Sequence, residues 1–130
     1  MVLCSGAFDG LHAGHVRYLA AARRLAGPEE PVRVAVAPDA YIQTHKCRNP
    51  HWNQADRWRT VQAVRGVEAF AQPESSVAET IRHEAPRLFV KGVDWAGRLP
   101  NDVVAACREV GAVIVFVDTE GVHTSDAFAG

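Results

Sequence analysis

Cysteine is scarce in this chain and badly placed for pairing. Cys4, Cys47 and Cys107 lie far apart and are odd in number, so they form no disulfide framework, and reduced thiols fit a cytoplasmic setting. Apolar runs of bilayer-spanning length are missing, and Met1 leads straight into a strand-like run rather than a leader pattern. A cytoplasmic protein with no membrane partner is therefore expected. Excess charge is missing as well: 14 Lys and Arg face 15 Asp and Glu, for a formal net charge of -1. That balance removes the electrostatic basis for non-specific nucleic-acid binding, so no nucleic-acid partner is expected. Repeats, linkers and low-complexity segments are also absent, and residues 1–130 are read as one domain with a single core.

What the chain does contain is an alternation of short apolar runs and helical patterns. Strands are predicted at 1–4, 32–37, 67–71, 88–90 and 112–117. The first helix spans 16–26 and opens near Gly14; a short helical piece follows at 40–43. Asn53 caps a helix over 54–65 with an inward stripe of Trp58, Val61 and Val64. Ser76 and Glu79 form a capping box for a helix reaching Glu84, which Pro86 stops. Asn101 caps the last helix, 102–110, closed by Gly111. Five strands alternating with helices imply an α/β fold, a doubly wound domain with a five-stranded, mainly parallel sheet and right-handed crossovers. A ligand site then belongs at the carboxyl ends of the strands, beside the switch point.

The stretch from Gly6 to His15, Gly-Ala-Phe-Asp-Gly-Leu-His-Ala-Gly-His, lies where the first strand turns into the first helix. Unpaired N–H groups and the positive end of the helix dipole suit such a turn to phosphate. Gly6 and Gly14 permit close backbone approach. His12 and His15, three apart, share one side of the helix mouth, where imidazoles can donate hydrogen bonds to a phosphoryl group as its charge develops. A simpler role, capping the helix, is open to the same two residues. Lys46, in the polar loop 44–53, is a natural second cation for a triphosphate. His45, Cys47 and His51 crowd that loop, but their spacing matches no standard structural zinc pattern.

The pattern G-x-F-D-x-x-H-x-G-H resembles the signature of the cytidylyltransferase-like nucleotidylyltransferase superfamily, whose domains are Rossmann-like. The resemblance implies His12, His15 and Lys46 as the catalytic set, and Gly6, Ala7, Phe8, Asp9 and Gly14 as nucleotide contacts, with Asp9 as a polar anchor of the turn. Arg57 matches a family arginine and is expected among the nucleotide contacts. Lys91-Gly92 followed by Asp94 resembles the V-K-G-G-D of heptose 1-phosphate adenylyltransferases, whereas Asp94-Trp95-Ala96-Gly97 resembles the D-W-x-G of glycerol-3-phosphate cytidylyltransferases; the base is expected to rest against this loop. The last family motif, G-[IC]-S-T-T, stands here as Gly121-Val-His-Thr-Ser125: Thr124 and Ser125 keep hydroxyls while His123 replaces the first.

Taken together, the resemblance implies transfer of a nucleoside monophosphate from CTP or ATP to a small phosphorylated sugar or polyol, with pyrophosphate released. Mg²⁺ bridging triphosphate oxygens is the implied cofactor, and a homodimer the implied assembly. The altered last motif leaves a second class open, a nucleotide-binding module of the same fold with little or no turnover. A purely structural domain is disfavoured, since a structural turn has no need of two histidines at a phosphate-ready helix start.

Overall fold

A computed structural model describes residues 1–119. Its elements alternate as expected: β1 (Val2–Gly6), α1 (Ala13–Leu25), β2 (Val32–Val36), α2 (Asp39–His45), α3 (Gln54–Gln62), β3 (Glu68–Ala71), α4 (Ala78–Glu84), β4 (Leu88–Gly92), a 3₁₀ turn (Val93–Trp95), α5 (Asn101–Val110) and β5 (Val113–Val117). The five strands form one sheet in the order β3-β2-β1-β4-β5, and every pairing is parallel.

Side-chain alternation explains why helices cover both faces. Val2, Cys4, Val34, Val36 and Val90 point to one side and pack with Tyr18, Leu19 and Ala22 of α1 and Val61 of α3. Leu3, Ala35 and Phe89 point to the other, against Ala78 and Ile81 of α4 and Val103, Ala106 and Cys107 of α5. The central strands, buried on both faces, thus read as continuous apolar runs.

Several local expectations need correction. α3 ends at Gln62, three residues short of Arg65: the amide of Val64 bonds back to Val61 O at 2.9 Å, a 3₁₀-like tightening, and Gly66 then takes a left-handed φ of 84°. The Ser76–Glu79 capping box does not form. Ser76 Oγ accepts from Ala78 N at 3.2 Å, but Glu79 pairs with Arg82 instead of reaching back. Asn101 is the first residue of α5 rather than its cap; Pro100 holds that place. Asn53, by contrast, caps α3 as expected, its Oδ1 accepting from Asp56 N at 2.8 Å, and Trp58, Val61 and Val64 all pack on the core.

The sheet opens where the site lies. β1 pairs with β2 along its full length, Val2↔Val32 to Gly6↔Val36. Its pairing with β4 stops at Cys4↔Val90, although both strands continue. The crevice between the carboxyl ends of β1 and β4 is the switch point of the doubly wound order.

Candidate active site

The turn after β1 is held rigid from below. Phe8 sits at a φ of 51°, a left-handed conformation unusual for an aromatic residue, and its ring is buried. That ring lies 5.0 Å from the His15 ring and 6.4 Å from the Tyr18 ring, centroid to centroid. Gly6 is needed beside it, since a Cβ there would come within 2.9 Å of the Phe8 ring. Arg57 lies almost wholly buried under the turn. Its guanidinium donates to Ala7 O at 2.8 Å, Ala37 O at 2.7 Å, Trp52 O at 2.9 Å and the Asp39 carboxylate at 2.6 Å. With four of its five N–H groups committed to protein acceptors, Arg57 ties the ends of β1 and β2 to α2 and α3.

Asp9 fixes the polar loop onto the turn. One carboxylate oxygen accepts from Arg48 Nη1 at 2.7 Å and His51 N at 2.8 Å, and the other from Trp52 N at 3.0 Å. Burial pushes the Asp9 pKa up, but the bonds from Arg48, His51 and Trp52 outweigh it and hold the group below the usual carboxylate range. The expectation that Asp9 anchors this turn thereby acquires a geometry, and its partner Arg48 is a residue that sequence reasoning did not single out.

The two histidines are joined through the helix cap. His12 is the N-cap of α1: its Nδ1 accepts from Gly14 N at 3.0 Å, while His15 Nδ1 accepts from His12 N at 3.3 Å. Their rings stack at 3.8 Å. A nitrogen that accepts must carry a lone pair, so in each neutral ring the proton resides on Nε2. Capping therefore does not compete with chemistry here; it leaves each ring an Nε2–H donor on the side away from the helix backbone. Burial lowers the His12 pKa. For His15, burial and then the His12 and Lys46 charges push it down to about 4. Both rings are neutral donors near pH 7.

Lysines complete the cluster. Lys46 caps α2 at its carboxyl end. Its pKa is lowered by burial and by Arg48, against the pull of Asp9. Lys91, at the end of β4, bridges the crevice by donating to Ser5 O at 3.0 Å and Ser5 Oγ at 3.3 Å. Burial pushes its pKa down to about 8, opposed by Cys4 and Asp94 and reinforced by Lys46. Tyr18 spans the same gap, its hydroxyl accepting from Ser5 N at 3.1 Å and donating to Val90 O at 2.5 Å. Lys46 thus acts electrostatically on both His15 and Lys91.

Trp95 lies with its ring 4.8 Å from Lys91 Nζ, a cation–π distance. Asp94 curls over Gly92, where a Cβ would meet its Oδ1 at 2.7 Å. Beside this wall opens a cleft of about 270 Å³ lined by Ser5, Tyr41, His45, Lys91, Trp95 and Leu99, among others. Tyr41, Gln72 and Asp102 of this cleft were not singled out in the sequence, and His45 and Ser76 were read only in other roles, because the five come from three separate segments with no motif. Gly121, His123, Thr124 and Ser125 lie outside the described residues.

Comparison with known proteins now decides the family. The cytidylyltransferase-like family model matches residues 3–127. The chain belongs to that family. Among its relatives, the bifunctional protein HldE of Nitrosococcus oceani is 33% identical over 127 residues, covering 96% of this chain and 26% of the relative. The FAD synthase of Korarchaeum cryptofilum is 30% identical over 96 residues, covering 73% of this chain and 65% of the relative. The chain thus spans about a quarter of the HldE proteins it matches. A crystal structure of the lipopolysaccharide core biosynthesis protein from Thermoplasma volcanium superposes with a TM-score of 0.71 at 23% identity, over 90% of this chain and 93% of that one. This confirms the family's fold, a single α/β domain on a five-stranded parallel sheet.

Proposed function

We propose that this domain transfers a nucleoside monophosphate from ATP or CTP to a small phosphorylated acceptor. The observation that carries the reading is the stacked pair His12 and His15 at a phosphate-ready helix start, beside the switch point that Lys91 bridges. Burial lowers the pKa of His12, His15, Lys46 and Lys91, and the Lys46 charge adds to it at His15 and Lys91; a bound polyphosphate would supply charge of the opposite sign. In this reading the triphosphate lies over the α1 amino end. A phosphate oxygen of the acceptor, entering from the cleft, attacks the α-phosphorus in line; that P–O bond forms as the α–β bridging P–O bond breaks, and pyrophosphate leaves with the electron pair. Positioning and charge neutralisation do most of such work, so no nucleophilic side chain is required.

Each residue then has a role. The Nε2–H groups of His12 and His15 donate to the oxygens on which charge grows. Lys46 holds phosphates, and Lys91 receives the acceptor phosphate at the crevice. Arg57 and Asp9 keep the turn and the Lys46 loop in register. The Asp9 carboxylate is consumed by three donors, and among the described residues no three His, Cys, Asp or Glu side chains gather as for a metal ion. Mg²⁺ therefore fits as a passenger on the triphosphate, where it neutralises phosphate charge. The family resemblance also supports a cytoplasmic homodimer, which sedimentation of the purified chain checks.

The family offers two kinds of acceptor: the sugar or polyol phosphates of the sequence reading, glycerol 3-phosphate or heptose 1-phosphate in type, and the flavin implied by the name of the FAD synthase relatives. Pyrophosphate release with each triphosphate against a panel of phosphomonoesters tests the reaction. ATP or CTP with Mg²⁺ should also raise Tm, by a free energy of about 2.7 kcal/mol at a hundredfold excess over Kd. Absence of both effects refutes the reading.

A further inference from the structure

The cleft beside Lys91 has a chemical character of its own. Its floor carries the Lys91 ammonium, which spends two of its three N–H groups on Ser5 and lies against the face of Trp95. Its walls are aromatic and aliphatic: Tyr41 from α2, Trp95 from the 3₁₀ turn, and Phe89, Val77, Leu99 and Val103. His45 adds a further flat surface, its ring stacked on Tyr41 at 4.4 Å.

The polar side chains on this wall are largely bonded to protein. The buried Gln72 amide donates to Glu74 O at 2.6 Å and to Ser75 O at 3.3 Å. Ser76 donates to Asp102 at 2.5 Å and accepts from Ala78 N. An acceptor rich in hydroxyls needs a partner for each one it strips of water, and every hydroxyl left unpaired costs about 1–3 kcal/mol. This wall supplies few such partners. It supplies instead three aromatic side chains, Tyr41, Trp95 and Phe89, and the His45 imidazole, surfaces suited to a flat apolar body.

We propose that the acceptor is an aromatic or heteroaromatic phosphomonoester, its ring seated among Trp95, Tyr41 and His45 and its phosphate on Lys91, and that Trp95 selects it over polyol and sugar phosphates. The assignment rests on the nucleotidyl-transfer reading and narrows it; it moves Lys91 and Trp95, expected from the resemblance to lie beside the nucleotide base, to the acceptor. Connectivity supports the orientation: Lys91 is bonded to Ser5, on the end of β1 that leads into the turn carrying His12 and His15, so a phosphate placed on Lys91 lies towards the reaction centre.

Two measurements test this separately from the reaction itself. Pyrophosphate release is followed with FMN, pyridoxal 5′-phosphate, glycerol 3-phosphate and glucose 1-phosphate, using whichever triphosphate raises Tm. Binding is read apart from turnover, by quenching of FMN fluorescence on addition of protein. The expected result is a kcat/KM at least tenfold higher for one of the ring-bearing acceptors than for either polyhydroxy one. Trp95→Ala should raise that acceptor's KM at least tenfold with little change in kcat or in the Tm shift by triphosphate, and Trp95→Phe should restore the parent value. A merely structural tryptophan would instead alter Tm and kcat. Turnover with glycerol 3-phosphate or glucose 1-phosphate and none with the ring-bearing acceptors overturns the inference and leaves nucleotidyl transfer standing. No turnover with any acceptor and no saturable FMN quenching also overturns it; a Tm shift by triphosphate in that case shows that the nucleotide site itself survives.

Discussion

The opening turn and the cleft are a few ångströms of chain apart at Ser5 and Gly6, yet they are built on opposite plans. Around the buried Phe8 ring the turn is polar and cross-linked: two imidazoles cap one helix, one carboxylate takes three N–H donors, and a buried guanidinium takes four acceptors. In the cleft the walls are aromatic and aliphatic, and the polar groups largely satisfy protein partners. The first arrangement suits any phosphoryl group, because it recognises charge and geometry alone. The second suits only bodies of a particular surface. Chemistry and specificity are thus housed in different regions, one readable as a motif and the other assembled from dispersed residues.

The largest expected effect divides the two functions of the first region. His15→Ala and His12→Ala should each lower turnover by at least two orders of magnitude, as loss of a donor to a developing oxyanion does. His12→Ala also removes an N-cap, worth about 1 kcal/mol, and should lower Tm by about 3–5 °C. His12→Asn separates the roles, since asparagine caps well but carries no Nε2–H. It should keep the parent Tm and still lose turnover. Activity retained in His12→Asn would mean that the ring only caps the helix, and the comparison between regions would collapse to packing.

A second pair of variants tests whether Asp9 acts through Lys46. Lys46→Met should reduce turnover at least tenfold while leaving Tm unchanged or slightly raised, because it removes a desolvated ammonium. Asp9→Asn abolishes the charge that Arg48 bonds; charge-assisted bonds of this kind are worth about 2 kcal/mol, so Tm should fall by about 5–10 °C. Its turnover should fall too, chiefly through a higher KM for triphosphate as the loop loosens. Equal Tm values for Asp9→Asn and the parent would show that the loop is held elsewhere.

The two regions also explain how far the sequence could be read. The order of strands and helices, the turn and its two histidines followed from periodicity and a contiguous pattern, which local rules capture. The cap at Ser76 fails because other partners compete: Asp102 claims the Ser76 hydroxyl and Glu79 turns to Arg82. At α5 the cap is Pro100, so the helix begins at Asn101, one residue earlier than expected. Arg57 was legible as a residue but not as a staple, since its four acceptors lie just after β1, just after β2, in α2 and in the loop before α3. Tyr18 belongs to no motif; only the early end of the β1–β4 ladder gives its hydroxyl work to do. The cleft was illegible for the same reason. Tyr41, Gln72, Ser76 and Trp95 meet only after three crossovers.

The smallest expected effect is on stability and comes from the neutral histidine pair. The folded His15 pKa, near 4, lies below the unfolded value of about 6.5. Between these values the unfolded chain binds a proton that the folded chain refuses, so unfolding becomes easier as pH falls. His12, also lowered, adds in the same direction. The contribution is fully present above pH 6.5 and lost progressively towards pH 4. Asp9 does not confuse this window, because its depressed pKa acts only below the usual carboxylate value near 3.8. Other histidines could, so the informative quantity is a difference: Tm should fall by a few degrees more between pH 7 and pH 4.5 in the parent than in His15→Asn. Superimposable Tm profiles would show that His15 titrates normally, and that the stacked, buried cap does not hold the two rings neutral.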